Sequence, residues 1–497
     1  MTSWSSLGLG FSAQAANDPS SRQTANATDV NTPSASLERR SLILFRRYHV
    51  NEVSELVSPS MPLVHLELIL LLLLLLPPPT SPNVVEVYQV QESPPPSSTS
   101  DPSASTSGSP CDFTHLHPRR YAAYHLPPAT NQLASSIIID GVLDEEAWAE
   151  APWSESFQDI RGPRFWSQPW FATKFKLRYD QQFLYIGAYL EETAVWANVS
   201  KRNEVIFHDN DFEVFVDADG TTHNYKEFEL NARNATWNLW LNRPYRDGGH
   251  ENSTRVDPRY GFDMLNSGMA SAVFVNGDIN DPSERLHYWT TEVALPFSEL
   301  ALHSKAQVPP APNSFWRINF SRVEWSVRVV TDDHTGKRRY EKKRDVNEEN
   351  WTWSAQYAVD MHRPEWWGYV QFRPRDEKPP ERTHNRHHAV VVPLDPEWGV
   401  RYVSFQYYYA QHAFHKATGS YTTNLEHLLP YFSSSEALQC TYLLDVSARS
   451  DSFSACIGLR DKSSRVNGLS EFVATIEEDG LIEVNKVSQA STIIAIE

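Results

Sequence analysis

Between residues 136 and 375 the sequence alternates apolar and polar residues over short runs, and turn-forming residues close each run. DFEVFVD (211–217) is the clearest case. As a strand it sends Phe212, Val214 and Val216 to one face and Asp211, Glu213, Phe215 and Asp217 to the other. YKEFELN (225–231) and TWNLWLN (236–242) continue the pattern. FKLRY (175–179) and FLYIGAYL (183–190) are separated only by Asp180, Gln181 and Gln182, the spacing of a tight hairpin. Further strands are expected at 137–139, 270–275, 287–295, 315–325 and 367–372. The Asp140–Gly141 turn closes the first, Asp144 is the expected N-cap of a short helix, and Pro152 ends that helix. Many short strands with almost no long helix specify an antiparallel β-sandwich of the immunoglobulin-like type. The same stretch holds 14 of the 16 tryptophans, which places the main core there. Residues 331–350 are densely charged and read as a solvated loop; KRRYEKKR (337–344) as a basic docking patch is the lesser reading.

The flanks differ in texture. Residues 1–135 read as disordered, because Ser, Pro, Asn and Thr dominate and cannot bury enough apolar surface to offset chain entropy. Within them the apolar run Leu68–Leu76 is too short to span a bilayer but has the length of a secretory signal core. Met61 precedes it closely, so translation from Met61 followed by secretion is the favoured reading, and a cytoplasmic protein with a simple Leu tract is the alternative. Residues 376–399 read as a linker. In 400–429, Val403, Tyr407, Ala410 and Phe414 fall near one face of a helix that Thr418–Gly419 stops. Strand-like pieces follow at 440–446, 454–460, 471–477 and 480–486, so 400–497 is expected to be a small α+β segment.

Charge and cysteine content narrow the function. A net charge of −18 disfavours nucleic acid and anionic membrane as partners. The three cysteines, Cys111, Cys440 and Cys456, are too few for a disulfide-built fold or a four-thiolate zinc site. One bridge at most can form, and Cys440–Cys456 is the expected pair. Six glycosylation sequons, at Asn26, Asn198, Asn234, Asn252, Asn319 and Asn350, are compatible with secretion.

IDGVLDEEAW (139–148), the YD-x-x-x-LYIG stretch (179–187), DNDFEVFVDADG (209–220) and WGYVQF (367–372) together resemble carbohydrate-binding module family 9, and more closely its single-module secreted members. NYKEFELNARNATWNLWLNRPYRDGG (224–249) and NWTWSAQYAVDMHRPEWWGYVQF (350–372) carry the resemblance further. It implies a DOMON-type sandwich that binds plant or microbial polysaccharide without cleaving it, in the context of carbohydrate catabolism, with a sugar site on the concave face and often a structural calcium.

The resemblance also implies particular residues. A clamp aromatic stands six residues before the hydroxyl-binding Glu, which here gives Phe207 and Glu213. Glu229 occupies the place of a polar ligand that can be Arg in sugar-binding members. Met361 occupies the place of the second clamp aromatic. Trp196, Trp366 or Trp240 are then the candidates for replacement stacking, against core packing for each. Asp217-x-Asp219-Gly220 resembles the start of a calcium loop; Phe228 at the twelfth position excludes an EF-hand and leaves two ligands of a structural calcium. His384, His387 and His388 form a lesser metal candidate in the linker.

Two other functions are open to the same residues. Glu213 and Glu229, on neighbouring strands, could flank a glycosidic bond. A DOMON-type pocket can also hold haem, with Met361 or a nearby His as axial ligand.

Overall fold

The structure, a computed structural model, describes residues 111–127, 137–165, 168–283, 285–380, 390–460 and 468–487. All of them lie in one compact unit of the chain. Leu68–Leu76, Met61, Asn26 and the histidines at 384, 387 and 388 lie outside the described residues.

The strands are β1 (Arg120–His125), β2 (Gln158–Asp159), β3 (Thr173–Tyr179), β4 (Phe183–Glu191), β5 (Asp211–Asp217), β6 (Tyr225–Asn231), β7 (Thr236–Leu241), β8 (Glu251–Asn252), β9 (Ala270–Val275), β10 (Tyr288–Pro296), β11 (Phe315–Glu324), β12 (Val327–Thr331), β13 (Arg338–Lys342), β14 (Glu349–Thr352) and β15 (Gly368–Phe372). Eleven of them run in the order β8-β7-β6-β5-β11-β15-β1-β3-β4-β10-β9, with β14 paired to β11 and β2, and β12 and β13 forming a hairpin of their own; side chains from both halves of the long path meet in one core, as in a sandwich. The mainly-β class expected from the alternation is present, and most strand bounds agree within a residue or two. In the β3–β4 turn, Asp180 accepts the N–H groups of Gln182 and Phe183 (2.7 and 2.8 Å), which fixes the hairpin.

Several expectations are corrected. Residues 111–127 are not a disordered tail. β1 joins the two halves of the sandwich, pairing in parallel with β15 through 120–123 and with β3 through 124–125. The sheet is therefore not wholly antiparallel. Tyr121 explains the local hold: its hydroxyl donates to the Pro152 carbonyl (2.6 Å) and accepts the Leu177 N–H (3.1 Å). Residues 137–139 form no strand, and the short helix α1 (Glu146–Glu150) begins without a side-chain cap. The carboxylate of Glu292 on β10 instead closes that region, accepting from Asp140 N, Gly141 N and Trp148 Nε1. The charged 331–350 stretch contains half of a hairpin, β12–β13, rather than loop alone. Asn319 is buried and its amide donates to Ser354 O (3.0 Å), so it presents no glycosylation site in the fold.

The principal core lies between the sheets, where Phe175 stacks on Phe320 (centroids 3.9 Å apart) and Trp353 meets Phe175 edge-on. Gly368 is required there: a Cβ would fall 2.1 Å from the Trp353 ring.

The C-terminal segment is joined to the sandwich. Helices α2 (Phe297–Leu300) and α3 (Trp398–Thr418) differ in role; α3 is the long helix expected from its apolar face, and Gly419 ends it at φ 81°. Strands β16 (Thr441–Ala448), β17 (Phe453–Arg460), β18 (Leu469–Glu477) and β19 (Ile482–Lys486) form an antiparallel sheet against α3. Trp398 and Tyr402 of α3 pack with Trp366, Tyr369 and Phe113 of the sandwich. Residues 390–397 are likewise no free linker, since Val390 and Val392 pack on Ala122 and Tyr124. The disulfide is Cys111–Cys440 and Cys456 is free, correcting the expected pair. Cys456 on β17 lies opposite Asp445 on β16, whereas Cys440 ends a short helix turned toward residue 111.

Candidate functional site

Register assembles the candidate site. Glu213 on β5 lies opposite Glu229 on β6 and opposite Ser321 on β11. Glu229 in turn lies opposite Trp237 on β7. Paired residues share a face, so Ser321, Glu213, Glu229 and Trp237 form one row across the sheet. The next row is Asn319, Phe215, Glu227 and Leu239.

This face is covered, contrary to the open sugar site that a hydroxyl-binding Glu213 implies. Glu213 is 3% exposed and Glu229 1%. Phe215, Tyr225, Trp237, Leu239 and Trp367 pack together above the strands, with Ile206, Val205, Val199 and Met361 around them. The cover comes from the segments before β5 and before β15. Asp209 pins the first: its Oδ2 accepts Asn198 N, Val199 N (2.7 Å each) and Asn231 Nδ2 (2.9 Å). The second is held where Trp367 Nε1 donates to Met361 O (3.0 Å) and Tyr225 pairs with His362 Nδ1 (2.9 Å).

Burial governs the charge of this face. It pushes the Glu213 carboxyl up to about 7, against the lowering effect of Ser321. Burial and neighbouring carboxyls push Asp211, Glu227 and Glu229 well above the usual range. Burial also lowers His362 to about 4, so its imidazole is neutral at pH 7.

The aromatic candidates separate. Phe207, on a short turn of helix just ahead of β5, is 39% exposed. Met361 packs into the covering cluster beside Ile206 and Trp367 rather than standing free as a clamp or an axial ligand. Trp196 is buried. Trp366 points away from the site into the contact with α3, edge-on to Trp398 and Tyr402. Trp240 packs on the principal core, its Nε1 donating to Asn224 and its ring 4.4 Å from His303. Sequence reasoning missed two residues beside Phe207. Trp325 Nε1 donates to Phe207 O (2.8 Å), and Lys342 Nζ donates to His208 O (2.8 Å). Lys342 Nζ also sits 3.4 Å from the Trp325 ring centroid and 5.8 Å from that of Trp196. The charged KRRYEKKR stretch was the available signal, and its Lys342 is the member that reaches the site.

The Asp217–Asp219 pair holds the turn after β5. Asp217 accepts from Gly220 N (3.0 Å) and Thr222 N (2.9 Å), and Asp219 accepts from Thr221 N (3.3 Å) and Lys305 N (2.7 Å). A backbone N–H is directed at each of the four oxygens, a donor environment that suits the carboxylates alone better than it suits calcium.

Residues 139–257 match the family described as carbohydrate family 9 binding domain-like. Among solved structures, a family 9 carbohydrate-binding module from Caldicellulosiruptor kristjanssonii in complex with cellotriose is 15% identical, covering 56% of this chain and 100% of its own, with a TM-score of 0.29. A putative carbohydrate-binding protein from Bacteroides uniformis is 15% identical and covers 52% of this chain and 100% of its own (TM-score 0.32). The C. kristjanssonii module in complex with glucose is 14% identical and covers 53% of this chain and 100% of its own (TM-score 0.30). No curated protein matches the chain.

Proposed function

We propose that the family-9-like domain of this chain binds carbohydrate and does not cleave it. The observation that carries this reading is that the matched segment, 139–257, contains Phe207, Glu213, Glu229 and Trp237, three of them in one row of the sheet. A pyranose presents C–H-rich faces to aromatic rings and hydroxyls to polar groups. Phe207 and the neighbouring Trp325 and Lys342 offer both chemistries at the accessible turn just ahead of β5, the strand that carries Glu213. Glu213 and Glu229 are sealed under the covering cluster, whereas a glycosidase would need its two carboxyls at the scissile bond.

The ligand is an oligosaccharide or polysaccharide, encountered outside the cell. Secretion is supported by the Leu68–Leu76 run and by the Cys111–Cys440 bridge, since disulfides persist in oxidising compartments. A glycan array probed with the full chain tests the reading, with cellotriose and glucose as the first soluble ligands. Selective retention on glycans, with no reducing ends released, is expected. Retention on none, or release of product, overturns it.

A further inference from the structure

Elsewhere this fold gives most of its buried carboxylates guanidinium partners or converging N–H donors, as at Glu292, Asp209 and Asp217. Arg322 takes Glu192 and Glu324 (2.9 and 2.7 Å), and Arg246 takes Glu365 (3.0 Å). The face carrying Glu213 departs from that rule. Asp211, Glu213 and Glu229 are 0%, 3% and 1% exposed, and none makes a salt bridge among the described residues. One carboxylate oxygen from each lies within 4.8 Å of those from the other two. Separately, Asp211 Oδ2, Glu213 Oε2 and Glu229 Oε2 are buried with no hydrogen-bond partner. Orphaned buried oxygens are costly, and one on each member of a convergent group of carboxyls favours a shared positive partner.

We propose that Asp211, Glu213 and Glu229 hold a calcium-sized divalent cation within the covered face of the sandwich. The span fits: oxygens around Ca2+ at 2.3–2.6 Å lie up to about 5 Å apart, and those of this cluster fall within that limit. The backbone is already placed for it. Asp211 and Glu213 are two apart on β5, and Glu229 lies directly opposite Glu213 on β6, so three ligands come from two rigid, paired strands. Asp211 is additionally oriented by Val323 N, which donates to its Oδ1 (2.9 Å) and leaves Oδ2 without a hydrogen-bond partner. Such a site would tie β5 to β6.

The test uses the full chain, stripped with a chelator and titrated with calcium alone, by calorimetry and by thermal unfolding. One calcium per chain and a raised Tm are expected. Asp211→Asn and Glu229→Gln should each weaken calcium binding about tenfold or more, because each removes a charged ligand. Both variants should still fold in chelator, since each also removes a buried charge. Asp219→Asn should keep the calcium response, separating this cluster from the turn after β5. No binding at millimolar calcium overturns the proposal. So does a calcium response that persists when Asp211, Glu213 and Glu229 are all replaced by their amides. The experiment contains no glycan, so its failure leaves the carbohydrate reading standing.

Discussion

Glu213 and Glu229 face each other directly across β5 and β6, both sealed from solvent. Like charges at opposed positions destabilise a sheet. Amides of the same shape should relieve part of that penalty. Glu213→Gln in chelated protein should therefore raise the unfolding midpoint, by about 1 kcal/mol or more. Denaturant unfolding at pH 8, above the value of about 7 to which Glu213 is raised, gives the clearest reading. A lowered midpoint would mean that the ionised pair is matched by something this account does not include.

Cys111 and Cys440 are 329 residues apart and staple the start of the described chain to the C-terminal sheet. Loss of a native bridge typically costs about 2–5 kcal/mol. Cys111→Ser and Cys440→Ser should each destabilise by that order, and reduction should do the same to wild type. Cys456→Ser should leave stability unchanged, because Cys456 is free. Thermal unfolding of the three variants decides it; a large loss in Cys456→Ser alone would restore the pairing expected from the sequence.

Tyr121 tests whether β1 belongs to the core. Tyr121→Phe keeps the ring and removes the hydroxyl that bridges Pro152 O and Leu177 N. The buried Leu177 N–H and the half-buried Pro152 carbonyl lose their partner, the first at about 1–3 kcal/mol. Chemical denaturation of this variant should show a clear loss. No loss would return residues 111–127 to the status of a dispensable tail.

What the sequence disclosed and what it concealed follow from distance along the chain. Alternation in DFEVFVD and YKEFELN located β5 and β6 and put Glu213 and Glu229 side by side, because strand period and a short turn are local facts. The cover over that face was hidden, since it is built by 195–210 and 361–367, far from β6 in sequence. The adjacent Trp366 and Trp367 show the limit sharply. One packs on α3 and the other over Phe215, and only the tertiary fold decides which does which. Cys440 has the same lesson: a near neighbour in sequence was the natural guess, and residue 111 is the partner in space.

Glu365 links the sandwich to α3. Burial alone would raise its pKa, but Arg246, Arg363 and Tyr409 hold it down at about 2. A depressed carboxyl stabilises the fold at pH values above its unfolded pKa, and that contribution is lost as pH falls toward the folded value. The window here runs from about 4.5 down to 2. Glu365→Gln should be less stable than wild type at pH 7, by on the order of 3 kcal/mol, and the gap should shrink toward pH 3. Urea midpoints at the two pH values measure it; a gap that is constant with pH would assign the loss to packing instead of charge.

The central claim is carbohydrate binding at the turn that carries Phe207. The most direct measurement is calorimetric titration of the best glycan from an array into wild type, Phe207→Ala and Trp325→Ala. The account predicts saturable binding to wild type, weakened about tenfold in each variant by the loss of roughly 1–1.5 kcal/mol of aromatic contact. Tm should stay near wild type in Phe207→Ala, because that side chain is exposed. Undiminished affinity in both variants, or the absence of any glycan that binds wild type, would contradict it.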